Sequence, residues 1–325
     1  MKHITILIPE GDSNLSSIVG SYKILSRANE FWTNKRGKGY RIQLAGSQPE
    51  VGFKGGLFAV RPHLAFSAIQ ATDLVVVPSL NHNFANAIRD NQEMIGWIAR
   101  QRAGGAEIAS ICTGAFMLAA AGLLDGKSCS THWAAHHQML ELFPEVRLER
   151  DKLITDQDGL YTNGGAFSFL NLLLYLVEKY FDRETAIYCS KVFQIDMDRQ
   201  SQSPYTIFTG QKRHMDRVII QAQEYLEDNG HEKISMEDLA GQFALSRRNF
   251  DRRFIRATGN TPLEYLQRIR VEIAKKAFES TGKSIAEVMY EVGYSDVNAF
   301  RQVFRRITGV LPAVYKDRYN KHEAI

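Results

Sequence analysis

Apolar and polar positions change texture once along this chain. In the first part, short β-branched runs alternate with longer stretches at helical spacing. His3–Pro9 (HITILIP) predicts a buried strand, and Leu15–Trp32 a helix. Tyr40–Ala45 and Phe58–Val60 are strand-like. Asp73–Val77, stopped by Pro78, reads as a strand buried on both faces. Phe84–Arg102 predicts one helix ending at Gly104 and Gly105. A strand at Glu107–Ile111 and a small-residue helix at Gly114–Leu124 follow. Strands near Leu153–Thr155 and at Leu160–Thr162 flank a turn at Asp158 and Gly159, and a long helix covers Phe167–Phe181. Such alternation predicts a mostly parallel sheet with helices on both faces.

Beyond about Tyr188 the strands stop. Residues 201–211 are polar, with Pro204 and Gly210, and read as a linker between a domain at 1–200 and one at 212–325. The later pattern is helical throughout. His214–Asn229 places Val218, Ile219, Ala222 and Leu226 on one face, and Asn229 with Gly230 ends it.

The last third repeats itself. At an offset of 50, Phe250 matches Phe300, Phe254 matches Phe304, and Arg256 matches Arg306. Thr258 then matches Thr308, Gly259 matches Gly309, Pro262 matches Pro312 and Tyr265 matches Tyr315. Upstream the offset is 49, pairing Ser235 with Ser284, Leu239 with Val288 and Ser246 with Ser295. Each copy reads as helix, tight turn, helix. Ser235 caps Met236–Gln242 and Ser246 caps Arg247–Thr258. In the second copy Ser284 caps Ile285–Val292, Gly293 makes the turn and Ser295 caps Asp296–Thr308. A long helix, Pro262–Ser280, separates the copies. Two helices joined in this way form a helix-turn-helix, whose second helix can enter a major groove.

Composition fits this picture. The chain has 325 residues, 44% hydrophobic and 23% charged, enough for two ordinary folded domains rather than a disordered polymer. The longest apolar runs, such as Leu170–Val177, fall far short of the roughly 20 residues of a membrane span, so no membrane partner is expected. Three cysteines, Cys112, Cys129 and Cys189, are too few for a disulfide framework and suit a reducing cytoplasm. The net charge of +4 is unevenly placed. Residues 1–205 carry 20 basic and 20 acidic side chains, and residues 206–325 carry 20 and 16. The excess coincides with the second helix of each repeat. Arg247, Arg248, Arg252, Arg253 and Arg256 face one acid, Asp251; Arg301, Arg305 and Arg306 face Asp296. Such helices suit phosphates and guanine edges, whereas the phenylalanines at i and i+4 suit a core.

These residues carry a resemblance. Gly293–Lys316 (GYSDVNAFRQVFRRITGVLPAVYK) is similar to the signature of the AraC/XylS regulators, and the likeness extends over Ile234–Tyr315. It implies one domain that binds two successive major-groove segments of double-stranded DNA. By motif position, Arg247, Arg248 and Arg252 would lie in one groove and Asn298, Arg301 and Arg305 in the next.

The first part resembles a second family. Cys112, in Ser110-Ile111-Cys112-Thr113-Gly114, follows a strand and opens a helix, like a nucleophile elbow. Gly105–Trp133 and Leu153–Tyr180 resemble the class I glutamine amidotransferase-like (ThiJ/PfpI) fold, a flavodoxin-like parallel-sheet sandwich, in the version fused to AraC-type domains. Catalysis would need a base and a group orienting it. Hydrolytic members commonly place His after the Cys; here it is Thr113. The stretch where they carry an acid, Leu15–Ile18, has none, and Glu10 and Asp12 lie earlier in the loop. His132 is the best remaining base. The expectation is therefore a regulator whose first domain dimerises and senses a small-molecule effector near Cys112, Thr113 and His132. The competing readings are a cysteine-dependent hydrolase or amidase and a thiol redox sensor acting through Cys112. His132 and His136 have the i, i+4 spacing of zinc ligands, with His137 alongside. No Glu follows His132 and no third ligand is evident, so neither metal nor cofactor is expected.

Overall fold

A computed structural model describes every residue except Met1, Asp12, His82, Gln200, Arg213 and 321–325. The chain divides between Gln202 and Ser203 into two compact units.

The first unit is built on a seven-stranded sheet in the order β10-β11-β7-β6-β1-β2-β5. Its strands are β1 (His3–Ile8), β2 (Arg41–Gly46), β5 (Leu64–Ala65), β6 (Leu74–Val77), β7 (Glu107–Ser110), β10 (Ile154–Gln157) and β11 (Leu160–Asn163). All neighbours run parallel except β10, which is antiparallel to β11. Alternate residues feed two cores, as the two-residue period requires. Ile4, Ile6, Ile8 and Val76 pack on one face with α1 (Leu15–Arg36), α6 (Phe169–Tyr180) and α7 (Arg183–Phe193). Leu7, Val75, Val77 and Ile108 pack on the other. There they meet α3 (Gln92–Ala103) and α4 (Ala115–Ala120). The four residues of β6 are all fully buried, as a doubly covered strand should be.

Several elements differ from the sequence reading. The single helix expected over Phe84–Arg102 is broken into α2 (Phe84–Asp90) and α3. At the break, the Asn91 side chain accepts from Glu10 N–H and donates to the carbonyls of Glu10 and Ala87. A side chain that competes for backbone groups in this way interrupts a helix. Phe58–Val60 is a strand (β4), but it pairs only with β3 (Val51–Phe53) in a separate hairpin, and Leu64–Ala65 takes the sheet edge. The helix expected at Gly114–Leu124 is a 3-10 turn, Cys112–Gly114, followed by α4, which Gly122 ends at φ +69°. Helix α7 was not foreseen, although Asp182 caps it by accepting from Thr185 N–H at 2.8 Å. A small pair, β8 (Ser128–Cys129) and β9 (Arg147–Leu148), and α5 (His136–Leu142) complete the unit.

The second unit is helical. Helix α8 (Arg217–Asp228) starts later than expected because Asp216, not His214, caps it. There follow α9 (Met236–Gln242), α10 (Arg247–Thr258), α11 (Pro262–Ser280), α12 (Ile285–Glu291), α13 (Val297–Thr308) and α14 (Pro312–Tyr319). Two cores share α11. Its first half contributes Tyr265, Leu266 and Ile269 to a core with Phe250 and Phe254. Its second half contributes Val271, Ala274 and Phe278 to a core with Phe300 and Phe304. At 1.5 Å per residue, this shared helix holds the two cores along about 28 Å.

Candidate nucleic-acid interface and cysteine turn

The two helix-turn-helix copies repeat at the level of single hydrogen bonds. Thr258 and Thr308 each donate to the carbonyl four residues back, at 2.8 Å in both cases. Gly259 and Gly309 end their helices at φ +69° and +78°. The hydroxyls of Tyr265 and Tyr315 donate to Glu227 and Glu279 at 2.7 and 2.5 Å. Helices α9 and α12 keep the offset of 49, and α10 and α13 keep 50.

The extra residue lies in the second turn. Ala244 and Gly293, at offset 49, both have left-handed backbones, φ +53° and +79°. The next residues, Leu245 and Tyr294, each donate a 3.0 Å backbone bond to the preceding helix. The caps then fall at Ser246 and Asp296, at offset 50, so Ser295 is the insertion. The expectation that Ser295 caps α13 is thus corrected: Asp296 does so, accepting from Ala299 N–H at 2.6 Å. Ser246 holds the cap position of α10 but makes no side-chain capping bond. Ser235 and Ser284 do cap, and Glu287 returns a bond to Ser284 N–H at 2.7 Å.

The arginines divide by whether the protein already uses them. Arg247 is half-buried. Its Nε bonds both carboxylate oxygens of Asp251 at 2.8 and 2.9 Å, and its Nη1 bonds Glu237 at 3.0 Å. Arg253 is a bidentate partner of Asp216 at 2.7 and 2.9 Å, which holds that carboxyl below its ordinary range. Arg248, Arg252 and Arg256 are exposed on α10, and Asn298, Arg301 and Arg305 on α13. Arg252 Nη2 is steadied by Asn249 Oδ1 at 3.1 Å. The exposed stripe of α10 also includes Ile255, and that of α13 includes Gln302. Neither was singled out from sequence, although the offset of 50 sets Gln302 opposite Arg252.

Arg270, in the middle of α11, ties the copies together. It donates to the carbonyls of Gly230 and Glu232, at 2.7 and 2.6 Å, just before the first copy. Its guanidinium also lies over the Tyr294 ring of the second copy, 5.2 Å from the centroid. Gly293 packs so closely there that a Cβ would sit 2.6 Å from the His231 carbonyl oxygen.

In the first unit, Cys112 sits at the carboxyl end of β7 with φ +55°. The close turn depends on Gly114, where a Cβ would lie 2.5 Å from Pro78 O. Burial pushes the Cys112 thiol up. Hydrogen bonds from the Ser79 hydroxyl, from Thr113 and from the backbone of His132 oppose that shift. Thr113 donates its hydroxyl to Leu80 O at 2.6 Å. His132 Nδ1 accepts from Ala134 N–H at 3.2 Å, so that ring nitrogen caps the following turn. Glu10 accepts from Ser47 Oγ at 2.5 Å. Asp12 lies outside the described residues. The turn brings Cys112, Thr113 and the His132 backbone together. Burial also pushes Cys129 up to about 12 and Cys189 up to about 11.

Comparison with known proteins agrees with both halves. The model of the DJ-1/PfpI family matches residues 3–179, and that of a helix-turn-helix domain matches residues 239–318. The HTH-type transcriptional regulator GbdR of Pseudomonas aeruginosa is 26% identical over 304 residues, 92% of this chain and 80% of that protein. ArgR, another HTH-type transcriptional regulator of that organism, is 28% identical over 209 residues, 64% of this chain and 63% of that one. A ThiJ/PfpI family protein from Pseudomonas syringae shares the fold of the first unit. Its TM-score is 0.51 at 21% identity, covering 61% of this chain and 76% of that one. The matches over both halves mark a DNA-binding transcriptional regulator. The chain belongs to the DJ-1/PfpI family and carries an AraC-type helix-turn-helix domain.

Proposed function

We propose that this regulator reads promoter DNA through α10 and α13 and is controlled by a small-molecule effector bound in its first domain. The carrying observation is the pair of helices in one register, each with a buried phenylalanine stripe and an exposed arginine-bearing one. Residues 1–200 form the sensing and dimerising part, 201–211 the linker and 212–325 the DNA-binding part. Arg248, Arg252, Asn298, Arg301 and Arg305 contact DNA. Arg247, already paired with two carboxylates, contributes chiefly by holding α10 against α9.

Effector binding at Cys112, Thr113 and His132 is supported by the turn at the carboxyl edge of the sheet, where open α/β sheets take ligands. The regulator acts as a homodimer presenting two DNA-binding parts, and a cytoplasmic place fits its three buried free cysteines. Among the described residues, no helix is long and apolar enough to cross a membrane.

Genome-wide mapping of bound sites tests the reading. A defined set of promoter sites is expected, with binding that weakens steeply as salt rises. Cys112→Ala and His132→Ala are expected to blunt the promoter response while leaving binding to bare operator DNA intact. An unchanged response in both variants would move the effector elsewhere. Sedimentation as a monomer at micromolar concentration would remove the dimer.

A further inference from the structure

This inference rests on the DNA-binding reading and concerns what the two copies read. Packing fixes the register of both recognition helices: Phe250, Phe254 and Thr258 point inward on one, Phe300, Phe304 and Thr308 on the other. Outward positions 50 apart are therefore geometrically equivalent. Arg248, Arg252 and Ile255 form a stripe at i, i+4 and i+7, on the side of α10 away from its core. Their counterparts on α13 are Asn298, Gln302 and Arg305, and all six are exposed.

The chemistry of the two stripes differs. A guanidinium matches the O6 and N7 acceptors of guanine, whereas a carboxamide matches N6 and N7 of adenine. Asn249 bonds Arg252 Nη2 and so orients its planar fork; on α13 Ala299 stands at that place, with no such brace. Ile255, 45% exposed, offers the apolar contact that suits a thymine methyl.

We propose that the first copy selects guanine through Arg252, with Arg248 beside it, and that the second copy selects adenine at the equivalent step through Gln302, with Asn298 beside it. The site of one chain is then chemically asymmetric, a guanine half followed about one helical turn later by an adenine half. Such a site fixes the direction in which the chain lies on DNA.

The test uses the full chain and a random double-stranded DNA library. Single-base variants of the selected site are then titrated at several salt concentrations. The wild type is expected to enrich guanine at one position of one half-site and adenine at the matching position of the other. Arg252→Gln is expected to lose on the order of 10- to 100-fold for the guanine site and to shift preference toward adenine at that base pair alone. Gln302→Arg is expected to do the converse in the other half. Both residues are on the surface, and thermal melting checks that the variants stay folded. Relaxed preference confined to the one base pair also supports the assignment. An equal loss on every sequence with a flatter salt dependence would make these phosphate contacts and overturn it. So would variants that leave every preference unchanged. A wild type that enriches no sequence at all would instead remove the DNA-reading function itself.

Discussion

The two helix-turn-helix copies are built on the same buried frame and differ at the surface and in the turn. Both place two phenylalanines fully inside, both end the recognition helix on a left-handed glycine, and both lock a tyrosine onto a glutamate. They diverge in the turn and on the outward side of the recognition helix. The first turn uses Ala244, the second Gly293 and one extra residue, Ser295. The first recognition helix has five arginines but commits Arg247 and Arg253 to carboxylates. At the equivalent places the second has Val297 and Val303. Composition therefore overstates the charge the first copy presents. Packing is held constant between copies while recognition chemistry is free to vary.

If the cores are equivalent, Phe254→Ala and Phe304→Ala should each cost about 3–5 kcal/mol in denaturant unfolding. A large inequality between them would show that one copy carries the stability of both. The turns should separate sharply. Gly293→Ala forces a side chain into a left-handed backbone and against the His231 carbonyl, and is expected to cost about 2–3 kcal/mol. The caps should separate next. Asp296→Ala removes a made bond and should lower stability by about 1 kcal/mol, whereas Ser246→Ala should change it by no more than a few tenths. Equal losses would show that Ser246 caps in solution. Ala244→Gly relieves the same backbone strain in the first turn and should stabilise by roughly 0.5 kcal/mol, since glycine's greater unfolded freedom offsets part of the gain.

The ion pair gives the smallest expected effect, one that depends on pH. The Arg253 hydrogen bonds hold the Asp216 carboxyl below its ordinary value, so the unfolded chain binds more protons there than the folded one. Its stabilisation is present above pH ~4 and is lost as pH falls through the folded value. Asp216→Asn should flatten the fall in melting temperature on acidification. Since valine replaces Arg253 in the second copy, Val303→Ala should leave that slope unchanged.

The frame was legible because burial follows a local period. The phenylalanines at i and i+4, the paired glycines and Pro262 with Pro312 placed α10, α11 and α13, and the short β-branched runs placed the buried strands, all within a residue or two. The misses have particular causes. Asn91 breaks a helix by bonding Glu10, eighty-one residues away, a contact no local pattern reveals. Phe58–Val60 has a strand's composition, but composition does not say which partner a strand will take. Ser295 and Asp296 are both good caps, and the repeat alone does not say on which side of the insertion the helix begins. Only the bond to Ala299 decides it.

The sequence by itself determined two domains of opposite texture, a duplicated helix-turn-helix, the inward face of each recognition helix and a cysteine at a strand-to-helix turn. These follow from the periodicity of apolar residues and from glycines at tight turns, both local properties. The tertiary structure decided which arginines remain available, since the partner of Arg253 lies 37 residues upstream. It also decided that the Cys112 thiol is buried among neighbours whose bonds only partly offset its desolvation. Availability and protonation depend on what surrounds a group in space, and chain spacing does not record that.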